Sequence, residues 1–151
     1  MEKECVVLCE SCQGKVFYRK NDVNICSFCK KQVSIEREVE DLVILLNSLQ
    51  ITTIASCRGH TRNGGICQRS YPWVAVLDER EVIEKAERMI SDYSDSVNGE
   101  KDKQWKLEAQ QTSVGWKRFL VPEGKKTLEA GSREGLLMLV DYLQSREVSK
   151  G

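Results

Sequence analysis

Four of the seven cysteines fall in two matched pairs. Cys9-Glu10-Ser11-Cys12 and Cys26-Ser27-Phe28-Cys29 are both Cys-x-x-Cys, and thirteen residues separate them. In such a turn the backbone amides point at the sulfurs and spread the charge of the thiolates. Two turns joined by a hairpin can close four thiolates around one tetrahedral ion. The spacing therefore predicts a structural Zn²⁺ in a small zinc ribbon, bound by Cys9, Cys12, Cys26 and Cys29.

Disulfide bonds and a redox dithiol are the competing explanations for these cysteines. The sequence starts with Met1-Glu2-Lys3-Glu4, which has neither the basic start nor the apolar stretch of a signal peptide. We therefore expect a cytoplasmic location, where thiols stay reduced. A redox dithiol needs one Cys-x-x-Cys beside a helix start rather than two matched pairs. Metal binding therefore explains the two Cys-x-x-Cys pairs better than disulfide bonds or a redox dithiol does.

Aromatic and basic residues stand side by side in the same segment. The run Phe17-Tyr18-Arg19-Lys20 and the pair Lys30-Lys31 are of the types that stack on a single nucleic acid strand and neutralise its phosphates. The alternative, which we favour, is that Phe17 and Tyr18 alternate between the small core of the ribbon and solvent.

A second group of reactive residue types lies in the run Ser56-Cys57-Arg58-Gly59-His60 and the loop after it. No acidic residue occurs between Leu42 and Leu77, whereas three arginines lie in this loop. Guanidinium groups and glycine-exposed backbone amides can surround a phosphate or carboxylate. The predicted anion site consists of Ser56, Arg58, Gly59, His60, Arg62 and Arg69. The alternative is a solvated loop whose arginines pair with acidic helices nearby, such as Asp78 to Glu87.

The same loop contains three residues of the types that bind zinc, namely Cys57, His60 and Cys67. Three protein ligands with an open fourth position would make a catalytic metal site that activates water, and Cys5 could instead complete a second structural site. A thiolate-imidazolium pair of Cys57 and His60 is a further alternative. The simplest alternative is a buried Cys57 at a strand end, with His60 hydrogen-bonded to backbone.

One resemblance to a known family lies in this region. The order helix, strand, Ser56-Cys57-x-Gly59-His60, then the strand Trp73-Val74-Ala75-Val76 resembles a segment of the wybutosine-synthesis methyltransferase family and of uncharacterised Ser-Cys-x-Gly-His proteins. The resemblance covers roughly residues 38 to 77, and His60 stands where that family has arginine. It implies a domain that acts on transfer RNA with S-adenosylmethionine, with Ser56, Cys57, Gly59 and Arg58 near the substrate.

The elements that must position these residues can be predicted from periodicity. In the ribbon, Lys15 to Arg19 predicts a strand that turns at Asn21-Asp22 and pairs with Val23 to Ile25. Apolar residues at helical spacing predict a helix capped by Ser34 that runs to about Gln50. Two strands follow, one on each side of the loop described above: Ile51 to Ser56 and Tyr71 to Leu77.

The C-terminal half repeats this order of elements. A capping box at Asp78 and Glu81 predicts a second helix with an apolar stripe of Val82, Ile83, Ala86, Met89, Ile90 and Tyr93. Gln104 to Gln111 and Gly115 to Val121 predict a hairpin. Ser132 predicts the start of a third helix that turns Leu136, Leu137, Val140 and Leu143 inward.

Together these elements predict an α+β protein with two units. Residues 1–33 form the zinc ribbon, and residues 34–151 form a two-layer domain with a four-stranded, mainly antiparallel sheet and helices on one face. The predicted hairpin places Trp105, Trp116, Lys117, Arg118 and Phe119 together, which is the composition of a surface that stacks on single strands. The alternative is that the aromatics belong to the core.

Composition narrows the functions that fit. Twenty-three basic residues balance twenty-three acidic ones, so any anion site must be local. The longest apolar run, Leu42 to Leu46, is too short for a membrane span. We therefore predict a zinc-binding recognition or regulatory protein that binds nucleic acid or a nucleotide through the loop from Cys57 to Ser70. The alternatives are an enzyme at Cys57 and His60, either a nucleic-acid-modifying transferase or a zinc hydrolase, and a protein-protein adaptor.

Overall fold

The structure of the chain, a computed structural model, describes residues 5–59, 70–97, 103–112 and 115–150. It is a mixed α+β fold, as predicted, with two sheets and three helices. The strands are β1 (Cys5–Leu8), β2 (Lys15–Tyr18), β3 (Thr53–Cys57), β4 (Trp73–Val76), β5 (Trp105–Thr112) and β6 (Gly115–Pro122). The helices are α1 (Arg37–Ser48), α2 (Arg80–Ser96) and α3 (Arg133–Lys150).

The N-terminal sheet contains β1 and β2, which pair antiparallel with Cys5 opposite Tyr18 and Leu8 opposite Lys15. The predicted pairing of β2 with Val23 to Ile25 is wrong. The first Cys-x-x-Cys turn connects β1 to β2 directly, so the partner of β2 precedes the first cysteine pair. Ile25 instead makes an isolated bridge to Gln32 across the second turn. Each Cys-x-x-Cys therefore lies at the end of its own antiparallel pairing.

The larger sheet has four antiparallel strands in the order β3-β4-β6-β5, which confirms the predicted sheet. The hairpin of β5 and β6 is also confirmed, with Trp105 opposite Pro122 and Thr112 opposite Gly115. Strands β3 and β5 lie at the two edges. Because β3 pairs with β4 up to Cys57 and Trp73, the two ends of the intervening loop emerge side by side.

All three helices contribute to one hydrophobic cluster with the same face of the sheet, as predicted. That cluster includes Val74 and Val76 of β4 and Leu120 of β6. The alternate residues of β4 and β6 form a second, smaller cluster with Cys57 of β3, and its members are Cys57, Trp73, Ala75, Phe119 and Val121. The rings of Trp73 and Phe119 meet edge to face at 5.3 Å. Strand β4 is consequently buried on both faces.

The predicted stripe of α2 is confirmed, whereas the predicted caps are wrong. Helix α1 begins at Arg37 after Glu36 rather than at Ser34, and α2 begins at Arg80 after Glu79 rather than at Asp78. Neither Glu36 nor Glu79 makes a side-chain cap hydrogen bond. Capping contributes only about 1 kcal/mol, so a residue of a capping type does not by itself determine where a helix begins. In the part of the chain that the structure describes, no helix is long and apolar enough to cross a membrane.

The start of α3 also differs from the prediction. A π-helical turn, Leu128–Ser132, precedes it, and the cap is Thr127, whose side chain accepts from the amide of Ala130. Ser132 instead donates its hydroxyl hydrogen bond to the carbonyl of Lys126. Leu136 and Leu143 are buried as predicted, but Leu139 takes the inward position expected of Leu137, which is exposed.

The small sheet packs against α1. Cys5, Val7, Val16 and Tyr18 belong to the same hydrophobic cluster as Val39, Leu42 and Leu46. The hydroxyl of Tyr18 donates to the buried carboxylate of Glu40 in α1. Nearby, Lys20 Nζ lies 2.7 Å from Asp41 Oδ1. The predicted division into residues 1–33 and 34–151 stays a prediction, but the described apolar packing runs through both units without a gap.

Candidate metal centre

The two Cys-x-x-Cys turns have the same backbone geometry. In the first, the amide of Gln13 donates to the carbonyl of Cys9 and the amide of Cys9 donates to Gly14. In the second, the amide of Lys30 donates to the carbonyl of Cys26, and the amide of Cys26 donates to the carbonyl of Lys31. Gln13 and Lys30, the residues after each second cysteine, both have positive φ, 61° and 67°. This left-handed residue turns the chain back so that both cysteines of a pair face the same point.

The turns bring all four predicted metal ligands together. The sulfurs of Cys9, Cys12, Cys26 and Cys29 all lie within 4.8 Å of one another. The shortest distances join the two turns: 3.6 Å from Cys9 Sγ to Cys29 Sγ and 3.5 Å from Cys12 Sγ to Cys26 Sγ. These separations are far longer than the roughly 2 Å of a disulfide bond. The four thiols are positioned to bind a metal ion.

The electrostatics of the cluster favour a cation at its centre. Backbone amides hold the pKa of Cys9 below its usual value, chiefly through the amide of Cys12. The amide of Cys29 in the same way lowers the pKa of Cys26 to about 6. The amide of Gly14 also lowers that of Cys12, but the sulfur of Cys26 and burial outweigh it, and the pKa of Cys12 is about 12. The lowered pKa values of Cys9 and Cys26 favour the thiolate, which is the form of cysteine that binds a metal ion.

An aromatic side chain of the second turn packs against the backbone that follows the first turn. A Cβ added to Gly14 would lie 2.5 Å from Phe28 Cδ2, so any larger residue at position 14 would displace this ring. Gly14 follows the first pair and Phe28 lies within the second, and their contact therefore joins the two turns. Phe28 is nevertheless 71% exposed, because only one edge of the ring packs on the backbone.

A cavity of about 290 Å³ lies between the first turn and the larger sheet. Cys9, Glu10 and Ser11 line it from the ribbon, and the segment from Ile54 to Ser56 lines it from β3. The predicted anion-site residue Ser56 therefore borders the metal-binding turn. Because β3 is an edge strand, part of its backbone hydrogen-bonding groups are not used by β4.

Arg58 has intramolecular partners. Its Nε lies 2.7 Å from Glu38 Oε2, and its Nη2 donates to Glu129 Oε1 at 3.0 Å. Its backbone amide also donates to Glu36 Oε1 at 3.1 Å. An external anion would have to compete with two carboxylates for this guanidinium. The pairing alternative was thus the better prediction for Arg58, although the partners are Glu38 and Glu129 rather than residues of α2.

Gly59 fixes the start of the loop. It has φ of +91°, and a Cβ there would lie 2.6 Å from the carbonyl oxygen of Ser70. The two ends of the loop therefore touch at Gly59, which only glycine permits. The amide of Gly59 also donates to Cys57 Sγ at 3.3 Å. His60, Arg62, Cys67 and Arg69 lie outside the described residues.

Of the three residues of the predicted second metal site, only Cys57 lies within the described residues. Cys57 is buried among Trp73, Phe119 and their neighbours, which matches the simplest alternative for this residue. Cys5 lies in the other hydrophobic cluster, against the carbonyl of Ile44, and burial raises its pKa to about 11. Within the described ranges, the four ribbon cysteines are the group that could hold a metal ion. The second site stays a prediction, since two of its three ligands are not described.

The aromatic residues of the predicted stacking surfaces separate into core and surface. Trp105 is buried and donates Nε1–H to the carbonyl of Gly135, so it cannot stack on a ligand. Trp116 is 63% exposed. Phe17 is exposed and Tyr18 is buried, which confirms the alternation we favoured for β2.

Sequence reasoning did not identify Phe28 as a surface residue. Its place between the two cysteines of a pair was the available signal, because the sulfurs of such a turn face inward and the intervening side chains face outward. No local signal indicated Glu129 as a partner of Arg58. The chain matches no protein-family model, no curated protein and no solved structure.

Proposed function

We propose that this protein is a zinc-binding recognition protein in which a structural zinc ribbon supports a site for a phosphate-bearing ligand, either nucleic acid or a nucleotide. The observation that carries the metal part of the proposal is the convergence of four thiols within 4.8 Å on two equivalent turns. The ligand part rests on the composition and anchoring of the loop after β3.

Zinc fits the donor set better than metals that prefer oxygen ligands. Four thiolates in a tetrahedral arrangement select zinc or an iron-sulfur site over magnesium or calcium. A zinc ion bound at about 2.3 Å by four thiolates separates the sulfurs by roughly 3.8 Å, close to the two shortest distances in the cluster. Four protein ligands leave no open position for substrate, so the zinc is structural rather than catalytic.

The loop after β3 supplies the second part of the proposal. Its sequence from residue 60 to residue 69 contains two arginines, two glycines and no acidic residue. Antiparallel pairing of β3 with β4 and the contact of Gly59 with Ser70 hold both ends of this segment at one place. Since Arg58 is paired with carboxylates, Arg62 and Arg69 are the residues that we assign to the phosphate.

Metal stoichiometry tests the metal part. Elemental analysis of the purified protein should give one zinc per chain in the wild type and in Cys57→Ser, and less than that in Cys26→Ser. Two zinc ions in the wild type and one in Cys57→Ser would place a second metal at the loop. That outcome would favour the enzyme alternative.

Binding of a labelled oligonucleotide at several salt concentrations tests the ligand part. We expect measurable binding at low salt, and the slope of log K against log salt should become shallower by about 1 to 2 in the double variant Arg62→Gln/Arg69→Gln. Arg80→Gln is the matched control, because Arg80 is an exposed arginine whose partner is Glu84 on its own helix. Equal slopes in the wild type and the double variant would remove the loop from the proposal.

A further inference from the structure

Exposed apolar side chains are concentrated in the ribbon. Among the described residues, seven large hydrophobic side chains are exposed, and five of these belong to the segment from residue 5 to residue 33. They are Val6 (40%), Phe17 (68%), Val23 (74%), Ile25 (57%) and Phe28 (71%). A cluster of this kind on a small module marks an interaction surface.

Part of this surface is defined by strand pairing. Phe17 lies directly opposite Val6 in the β1–β2 register, and both side chains are exposed. Lys15 is exposed two residues before Phe17, so the two side chains lie on the same face of β2. Phe28 packs on Gly14, the residue that precedes β2, so its ring lies at the end of β2 that is nearest the cysteine turns. We use the name ribbon face for the exposed side chains of Val6, Lys15, Phe17 and Phe28.

The charges near the ribbon face are basic but few. Lys30 and Lys31 follow the cysteine pair that contains Phe28, and both are exposed, as is Lys15. Residues 5–33 contain five basic and two acidic side chains. A zinc ion with four thiolates adds two negative charges, so the ribbon as a whole is close to neutral. A ligand of this surface must therefore gain more from aromatic contact than from charge.

We propose that the ribbon face binds single-stranded nucleic acid, with unpaired bases stacked on Phe17 and Phe28 and with phosphates close to Lys15, Lys30 and Lys31. This inference rests on the proposed function and names its ligand class. An unpaired strand offers both faces of its bases for stacking, whereas a duplex conceals them. Lysines beside the rings suit the phosphates that connect successive bases.

The experiment compares variants with one probe, a labelled oligothymidylate of about ten nucleotides, a length within the range of known single-strand sites. Fluorescence anisotropy at low salt should show that Phe17→Ala and Phe28→Ala each weaken binding about 10-fold. Leu137→Ala is the matched control, because Leu137 is an exposed large hydrophobic side chain of α3, outside the ribbon and outside every predicted binding surface. It should bind as the wild type does. Elemental analysis of both phenylalanine variants should still give one zinc per chain.

Three outcomes would overturn the inference, and they are distinguishable from failure of the proposed function. If the phenylalanine variants bind normally while Arg62→Gln/Arg69→Gln binds weakly, the ribbon face is excluded and the proposed function stands. If a duplex of the same length binds as tightly as the single strand, stacking is excluded. If the wild type binds neither oligonucleotide nor mononucleotide, the proposed function fails and the inference fails with it.

Discussion

Gly59 shows how one residue constrains the loop that we assign to the ligand. Its φ of +91° is a region that favours glycine, and the carbonyl of Ser70 occupies the place of a side chain. Two other glycines allow the effect of the positive φ to be distinguished from the effect of the steric contact. Gly115 has φ of +109° with nothing within 4 Å of an added Cβ, and Gly124 meets only the side chain of Lys126 at 3.8 Å.

We predict that Gly59→Ala destabilises the protein more than Gly115→Ala, and Gly115→Ala more than Gly124→Ala. Backbone strain alone costs about 1 to 3 kcal/mol, and at Gly59 the clash with backbone atoms adds to it. At Gly124 the substitution should change stability by less than about 1 kcal/mol. Urea denaturation of the three variants gives the free energies of unfolding. Equal losses of unfolding free energy for Gly59→Ala and Gly115→Ala would show that the contact with Ser70 does not contribute to the destabilisation.

At the scale of elements, Tyr93 connects α2 to the segment that leads into β5. Its ring is almost fully buried and packs edge to face on Tyr142 of α3 at 5.5 Å. Its hydroxyl donates to the carbonyl of Lys103 at 2.9 Å. Burial raises the pKa of Tyr93 to about 12, although the charge of Lys103 opposes the shift.

This raised pKa predicts a loss of stability in alkali. In the unfolded chain a tyrosine loses its proton near pH 10, whereas folded Tyr93 keeps it up to about pH 12. The contribution of Tyr93 is therefore complete below pH 10 and is lost as the pH rises towards 12. Tyr93→Phe should be less stable than the wild type at pH 8 by about 1 kcal/mol, because it lacks the hydrogen bond. The difference should shrink between pH 10 and 12 in denaturant titrations; a constant difference would contradict the assignment.

At the scale of the whole molecule, the ribbon that contains the metal centre packs directly against α1. The ribbon contributes Val7, Val16 and Tyr18 to the cluster that α1 shares with the larger sheet. Tyr18 is also the hydrogen-bond donor to the buried carboxylate of Glu40. The two-stranded sheet is too small to be stable alone, so metal binding and this packing must act together.

We predict that removal of the metal ion unfolds the ribbon and leaves the four-stranded sheet folded. Hydrogen exchange after chelation should show loss of protection at the amides of β1 and β2, while β4 and β6 remain protected. Cys26→Ala should give the same pattern without chelator. Cys5→Ala is the control, because Cys5 is buried but does not belong to the four-cysteine cluster, and this variant should keep both the metal ion and the protection of the ribbon amides. Persistent protection of β1 and β2 in the metal-free protein would show that packing alone stabilises the ribbon.

The features predicted correctly from sequence are those whose signal is local. Cys-x-x-Cys brings two sulfurs together through a turn of a few residues, and the stripe of α2 and the hairpin of β5 and β6 follow from periodicity over one element. The α+β class followed from the order of such elements. These patterns depend on neighbours in the chain, so they can be identified before any tertiary contact is known.

Only the tertiary structure decided which segments meet. β2 pairs with β1 rather than with Val23 to Ile25, and Arg58 pairs with Glu129, 71 residues away. Leu139 rather than Leu137 faces the core, and Trp105 rather than Trp116 is buried. In each case the sequence offers several chemically similar residues, and only the folded chain shows which one makes the contact. For the apolar residues the choice depends on the shape of the assembled core, since burial energies of alternative apolar residues differ little until packing fixes their surroundings.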